Sequence, residues 1–530
     1  MLHTPMAARG MVSAPHHLAA QSGLAVLRDG GNAVEAAIAV AATLSVVTPH
    51  LCGLGGDAFW LIHEPGRLPV SIDGSGAAAA AAEPALYAQH GIDATIPRHG
   101  ILSACTVAGA VSSWQAALEV SQRWDGVLPL SRLFADAIHY ARSGYAVTAP
   151  QADAATRLLD DLTGQPGFAE HFLKDGAPPA VGARATLPRL ADSFERLAKF
   201  GLDDFYRGGL GYHIGAELQR LGSPLAAEDM ARHRSIRRRP LSITLDCGTV
   251  YNTPPPTQGL ASLMILGLFQ RLGVDEADGF AHVHGLVEAT KQAFAVRNAH
   301  VTDPAHMTIH ATTYLTDGLL DRLAADISPD RAAPWPQAGR PGDTVWIGTA
   351  DDAGRVVSLI QSLAGPFGSG VMLRDTGILW HNRGASFHLT EGRQNILAPR
   401  RKPFHTLSPA LAMLQDGRVM AYGSMGGEGQ PQTQAALFTR HVLFGQTLQQ
   451  AVTAPRWTLG RGWTGNDTHL KLESRVDPAV IEALRRAGHA VRVVEPFDTL
   501  MGHAGALVRH TDGLIEGAAD PRGNGSVAGF

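Results

Sequence analysis

Over residues 18–28 apolar side chains recur at helical spacing, and the run ends at Gly30-Gly31, where the left-handed backbone that stops a helix costs least. A second helix is predicted to start at once. Asn32 stands as its N-cap with Glu35 three positions on, the spacing of a capping box, and the stretch to Val47 is apolar on nearly every face. Such a helix must be buried between layers. Pro49 ends it, and Gly53-Leu54-Gly55-Gly56 leads into a short strand over 59–62. That glycine run reads as a tight turn rather than a phosphate cradle, because it lacks the Lys-Ser/Thr of a P-loop.

From Trp114 to Phe269 the pattern is mainly helical, with an amphipathic stretch over 190–200 and loops at Gly164-Gln165-Pro166 and Pro178-Pro179. Pro254-Pro255-Pro256 precedes a last helix over 260–271. Pro329, Pro334, Pro336 and Pro341, with Gly339 and Gly342, mark a linker over 324–341. Beyond it, β-type runs over 344–350 and 355–363, joined by Asp351-Asp352-Ala353-Gly354, predict a hairpin. Further strands are predicted over 419–423, 470–473 and 490–495. Buried helices beside strands predict a layered α+β fold.

Composition narrows the function classes. With 45% hydrophobic and 17% charged residues in 530, the chain can bury a large core. Lys plus Arg number 44 and Asp plus Glu 48, a net charge of −4, so no strongly basic footprint argues for nucleic acid as a partner. The cysteines, Cys52, Cys105 and Cys247, have no CxxC spacing and suit a reducing compartment. The N-terminal residues lack an apolar signal core, and the longest apolar stretch, 36–47, falls short of the about 20 residues that span a bilayer. A cytoplasmic protein without membrane contact is expected.

Candidate chemistry is sparse when read residue by residue. His282, His284, His300 and His306 near Asp303 suggest a metal, but spacing i, i+2 on a helix points side chains apart, and no metal or cofactor is expected. Cys52 before Gly53 reads as a small buried thiol rather than a nucleophile. Asp343-Thr344 opens the hairpin, where a threonine is ordinarily a β-branched strand residue. Its hydroxyl becomes a nucleophile only beside a base. A chain that begins at threonine carries that base in its own α-amine, of pKa roughly 7.7 to 8.0.

Taken in order, Gly30-Gly31-Asn32-Ala33, Gly53-Leu54-Gly55-Gly56, Pro254-Pro255-Pro256-Thr257-Gln258-Gly259, Asp343-Thr344, Phe367-Gly368-Ser369-Gly370, Gly426-Gly427 and Gly517-Ala518-Ala519-Asp520-Pro521-Arg522 resemble the γ-glutamyltransferase family from end to end. The resemblance implies an N-terminal nucleophile hydrolase: a four-layer αββα sandwich with a helical lobe in its N-terminal part. It implies self-cleavage between Asp343 and Thr344 into a large subunit, 1–343, and a small subunit, 344–530, that form one folded unit. Thr344 is then the nucleophile, Ser362 the hydroxyl that orients it, and Gly426 and Gly427 the oxyanion hole.

The sequence departs from that family where the substrate binds. Ser75 stands in place of the arginine that holds the α-carboxylate, Ala364 in place of an asparagine, Arg383 and Ser386 in place of amine-binding residues, and His405-Thr406 in place of paired serines. Loss of amine acceptors with gain of Arg383 favours an anionic acyl group without an α-amine. The resemblance therefore implies an amidohydrolase acting on a small acidic amide, such as the oxamate of purine catabolism. A γ-glutamyl hydrolase or transpeptidase, a glutaryl or cephalosporin acylase, and a non-catalytic scaffold are the alternatives. Assembly beyond the two subunits is possible on this reading.

Overall fold

The computed structural model describes residues 3–337, 342–460 and 467–530. Among them, two seven-stranded antiparallel sheets lie face to face. The first runs in the order Ser526–Gly529, Gly10–Ala14, Asp343–Asp351, Val356–Ala364, Asp57–His63, Val70–Gly74 and Ile236–Arg238. The second runs Met6–Ala7, Ile515–Ala519, Ala504–Arg509, Val419–Ser424, Ala410–Leu414, Gly248–Asn252 and Leu241–Leu245. Each sheet takes strands from both sides of Thr344, so residues before and after it share one core.

Three apolar layers hold the stack together. Phe59, Leu61, Trp346, Ile360, Leu411 and Leu507 fill the space between the sheets. Helices His17–Arg28, Ala33–Val47 and Ala110–Ser121 cover the outer face of the first sheet, and Gly259–Arg271, Phe280–His300 and Gln430–Phe438 cover the second. This is the four-layer αββα arrangement. Residues 110–232 add the helical lobe, whose Phe134, Phe194 and Phe205 continue the core beneath the first sheet.

Ala33–Val47 is buried at all of its positions, as its pattern predicts. Each of its buried Val, Leu and Ile side chains contributes about 1.5–3 kcal/mol relative to exposure. Asn32 accepts from the Val34 and Glu35 N–H groups, and Glu35 accepts from that of Asn32. The Ala33 N–H donates to Asp351 at the hairpin tip, 3.0 Å away, so the helix start is completed by the hairpin. The hairpin itself spans Asp343–Asp351 and Val356–Ala364. Trp346 anchors it from between the sheets, its indole N–H donating to Ser358 Oγ at 2.9 Å while its ring lies against Gly423 and Gly505. Any side chain at either glycine would overlap that ring.

Two expectations are corrected. The stretch read as mainly helical contains five strands: the short pair Tyr145–Ala146 and Arg184–Ala185, then Ile236–Arg238, Leu241–Leu245 and Gly248–Asn252. In Leu241–Leu245 burial alternates with the pleat, so a period of two was present in the sequence. Residues 328–337 of the expected linker are a strap rather than a boundary: Ala332 N–H donates to Ala487 O at 2.8 Å, and Ala333 N–H to Glu288 at 3.0 Å. Gly339 and Pro341 lie outside the described residues. Among the described residues, no helix is long and apolar enough to cross a membrane.

Candidate active site

A bulge interrupts the hairpin ladder at Thr344. Asp343 pairs with Ala364 and Val345 with Gln361, so one residue, Thr344, faces two, Ser362 and Leu363. Leu363 has left the ladder: its N–H donates to Leu51 O at 3.0 Å and its carbonyl accepts from Asn382 N–H at 3.2 Å. Immediately afterwards the chain turns at Ala364 with φ of +79°, a left-handed conformation costing about 1–3 kcal/mol for a non-glycine residue. The hydroxyl of Thr344 is buried and donates to Ser362 Oγ at 3.4 Å. Ser362 Oγ also accepts from the Ala364 N–H at 2.8 Å. Gly55 and Gly56 let the preceding turn close on this strand, since a methyl group at Gly56 would overlap the Ser362 carbonyl oxygen.

Gly426 and Gly427 enter from the second sheet, at the end of Val419–Ser424, with φ of +129° and +55°. These angles favour glycine and turn the backbone into the short helix that precedes Gln430–Phe438. Among the described residues neither N–H has a hydrogen-bond partner. A methyl group at Gly342 would lie 3.1 Å from Gly427 Cα, so the chain leading into Thr344 passes directly beside this pair. Gln258 fixes the loop from behind: its amide donates to Gly427 O at 2.8 Å and to Thr406 O at 2.7 Å. Arg297 in turn donates to Gln258 Oε1 and to Glu428, both at 2.9 Å.

A cavity of about 730 Å³ opens at this point, lined by Gly342, Ala364, Arg383, Ser386, Thr406 and Glu428 among others. Arg383 starts a one-turn helix, Arg383–Ser386, and is 4% exposed. Among the described residues its guanidinium has no hydrogen bond or ion pair, and its Nε is buried without a partner. Burial lowers its pKa to about 10, with the Asp57 carboxylate partly opposing the shift. It remains a cation at neutral pH. An unpartnered buried guanidinium beside a cavity is a ready partner for a carboxylate.

Behind Arg383 lies a buried cluster of Asp57, His381 and His405, of which sequence reasoning found only His405. Asp57 Oδ1 accepts from the Gly76 and Gly109 N–H groups at 3.2 and 3.0 Å. Its Oδ2 is 3.2 Å from His381 Nδ1 and 3.6 Å from His405 Nε2. Burial alone would raise the Asp57 carboxyl, but His381, His405 and Arg383 outweigh it and hold the group below the usual carboxylate range. Burial first, then Arg383, drives the His405 pKa well below that of a free histidine.

The expected site residues therefore divide. Thr344, Ser362, Gly426 and Gly427 come together, and Arg383, Ser386 and Thr406 line the cavity. Two others do not reach it. His405 is fully buried against Phe59, with ring centroids 5.1 Å apart, and faces Asp57. Ser75 is fully buried and donates to Asp73 Oδ1 at 2.5 Å, while Asp73 pairs with Lys402 at 2.9 Å. The Asp343 backbone opens the strand, but its side chain lies outside the described residues.

The histidines and thiols set aside from catalysis have structural partners. His282 Nε2 meets Thr439 Oγ1 at 2.8 Å, whereas His284 Nδ1 meets His489 at 2.9 Å. His284, Glu288 and His489 are close enough to surround an ion, but the Lys291 ammonium already sits 2.6 Å from Glu288. Burial pushes the Cys52 thiol up to about 12 and the Cys105 thiol to about 11, which suits packing rather than nucleophilic attack.

The sequence model of the gamma-glutamyltranspeptidase family matches residues 19–530. The chain is 52% identical over 524 residues to the oxamate amidohydrolase proenzyme of Klebsiella pneumoniae subsp. pneumoniae, with 98% of each chain covered. It is 38% identical to the glutathione hydrolase-like YwrD proenzyme of Bacillus subtilis, again over 98% of each. The crystal structure of cephalosporin acylase from Bacillus halodurans superposes with a TM-score of 0.92 at 32% identity, covering 100% of this chain and 97% of the other.

Proposed function

Because the chain belongs to the gamma-glutamyltranspeptidase family, we propose that it is a proenzyme that cuts itself before Thr344 and then hydrolyses the amide of a small carboxylic acid. The observation that carries this reading is the juxtaposition at the bulge. Thr344 Oγ1 lies against Ser362, and the segment leading into it passes beside Gly427, which with Gly426 carries N–H groups that have no partner among the described residues.

In the first reaction Thr344 Oγ1 adds to the Asp343 carbonyl carbon and its proton passes to the departing Thr344 nitrogen. The peptide C–N bond breaks and an ester remains. That break already frees the Thr344 α-amine, and water then hydrolyses the ester, freeing the Asp343 carboxyl and returning the Thr344 hydroxyl. In the second reaction the α-amine takes the hydroxyl proton, Oγ1 adds to the substrate amide carbon, and the C–N bond breaks as that proton passes to the leaving nitrogen. Water then releases the acid from the acyl-enzyme. Gly426 and Gly427 N–H groups facing the oxyanion would lower each barrier by about 3 kcal/mol per donor.

Arg383 supports an acidic acyl group, and the oxamate-hydrolysing relative supports oxamate first among candidates. One observation favours a second reading. A cavity of about 730 Å³ is larger than so compact an acid requires, so amides of glutaryl-sized acids with a bulkier leaving group are the competing substrates.

Intact mass and N-terminal sequencing test the processing. The wild type is expected as two pieces of about 36 and about 20 kDa, scaled by length from 55.9 kDa, the smaller beginning at Thr344, and Thr344→Ala as one inactive chain. A new N-terminus elsewhere, or an active Thr344→Ala chain, overturns the assignment. Ammonia or amine release from matched oxamate, glutaryl and γ-glutamyl amides tests the substrate. Preference for the γ-glutamyl compound overturns the acidic-amide reading.

A further inference from the structure

Thr344 Oγ1 has a second neighbour. Gln430, the first residue of the Gln430–Phe438 helix and fully buried, places Nε2 3.5 Å from it. The orientation of that amide is decided by Ser408. The Ser408 backbone N–H, which can only donate, lies 3.0 Å from Gln430 Oε1, and the Ser408 hydroxyl lies 3.3 Å from the same oxygen. The carbonyl end therefore faces Ser408, and the NH₂ end faces Thr344.

With Gln430 donating into Oγ1, the Thr344 hydrogen points the other way, to Ser362 Oγ at 3.4 Å. Both contacts are long, as catalytic hydrogen bonds often are before substrate binds. We propose that Gln430 is a positioning residue for the nucleophile: its fixed N–H holds Thr344 Oγ1 on the line of attack and stabilises the oxygen as it loses its proton. The inference rests on the reading of Thr344 as nucleophile. It predicts that one side chain serves both self-cleavage and turnover, because the same oxygen attacks in each.

Two variants of the full chain separate this role from a packing role. Gln430→Met keeps the length but offers no donor. Gln430→Glu keeps the acceptor for Ser408 and loses the N–H while ionised. Both are expected to process more slowly, and the processed fraction to show kcat lowered about tenfold or more with KM within about twofold.

The pH profile supplies a readout that packing alone would not move. Once protonated, the carboxyl introduced by Gln430→Glu regains an O–H donor, so the ratio of Gln430→Glu to wild-type kcat should rise as pH falls. Taking the ratio cancels titration of the α-amine. Should Gln430→Met fail to accumulate, Gln430→Glu carries the test alone. Wild-type kcat and a flat ratio in chains whose small piece begins at Thr344 overturn the inference and leave the nucleophile intact. Activity in Thr344→Ala overturns the nucleophile itself.

Discussion

The two walls of the site are built from different physics. On the Thr344 side the groups nearest its hydroxyl are neutral, two hydroxyls, one carboxamide and the glycine N–H groups, positioned by short-range contacts to Ser408, Ser362 and Gln258, with the Arg297–Glu428 pair set behind Gln258. On the Arg383 side two charges, Arg383 and Asp57, are buried, and Arg383 itself has no hydrogen bond or ion pair among the described residues. Neutral donors cost little to bury when their remaining bonds are satisfied, whereas a buried cation is costly until something pairs with it. The first wall is thus suited to chemistry common to many acyl groups. The second is suited to choosing one. Substitutions should separate the two, leaving self-cleavage intact while substrate choice collapses.

The largest separation is expected at Arg383. Arg383→Gln keeps much of the volume and removes the charge, and should lower kcat/KM for acidic amides about a thousandfold, the effect of roughly 4 kcal/mol lost from a buried charge pair. Self-cleavage followed by gel densitometry should change less than about threefold. Comparable losses in both reactions would mean that the walls are not independent.

What could be read in the sequence follows the same division. The neutral wall lies in short motifs: Thr344 opens a β-type run, and Gly426-Gly427 stand together. The bulge at Thr344 was not readable, because it depends on Leu363 pairing with Leu51 and Asn382 across the fold. Gln430 lies within a stretch of short polar residues after the glycine pair, yet its role appears only when Ser408 fixes its amide. The charged wall was read only in part. Arg383 and His405 stood out at substrate-binding positions, but that His405 turns to Asp57 beside His381 depends on distant segments with no local signature. The fold was clearest where a long apolar run follows a capping box, as in Ala33–Val47, and was missed in short strands such as Leu241–Leu245 and the Arg-rich edge strand Ile236–Arg238.

A smaller effect, on stability, is expected at Asp57. Asp57→Asn leaves Arg383 without its opposing charge and breaks the cluster with His381, and should cost roughly 3 kcal/mol, the low end for breaking a buried charged pair. The sign with pH follows from the depressed folded-state pKa. The carboxylate contribution is fully present above the unfolded value of about 4 and is lost as pH falls through the lower folded value. Denaturant midpoints of variant and wild type should therefore differ at pH 7 and approach one another below about pH 4. A constant difference across that range would show that packing, not charge, is what Asp57 provides.

The smallest effect sharpens the comparison by touching neither wall. Asn32 caps the buried Ala33–Val47 helix, accepting from Val34 and Glu35 N–H groups, and its amide donates to Ser121 Oγ at 2.7 Å. Asn32→Ala removes those bonds, but Asp351 still accepts from the Ala33 N–H, so the helix start is weakened rather than undone. A loss of about 1 kcal/mol is expected, the usual cost of deleting an N-cap. Because Asp351 ends the strand that begins beside Thr344, a loose hairpin would carry the disturbance to Thr344. The bulge, the Trp346 anchor and the Ser362 contact lie between the two ends and are independent of Asn32. Thermal unfolding should therefore shift while self-cleavage and kcat stay within about twofold of wild type. A larger kinetic loss would show that the neutral wall is held in place by the helix layer and not by its own short contacts.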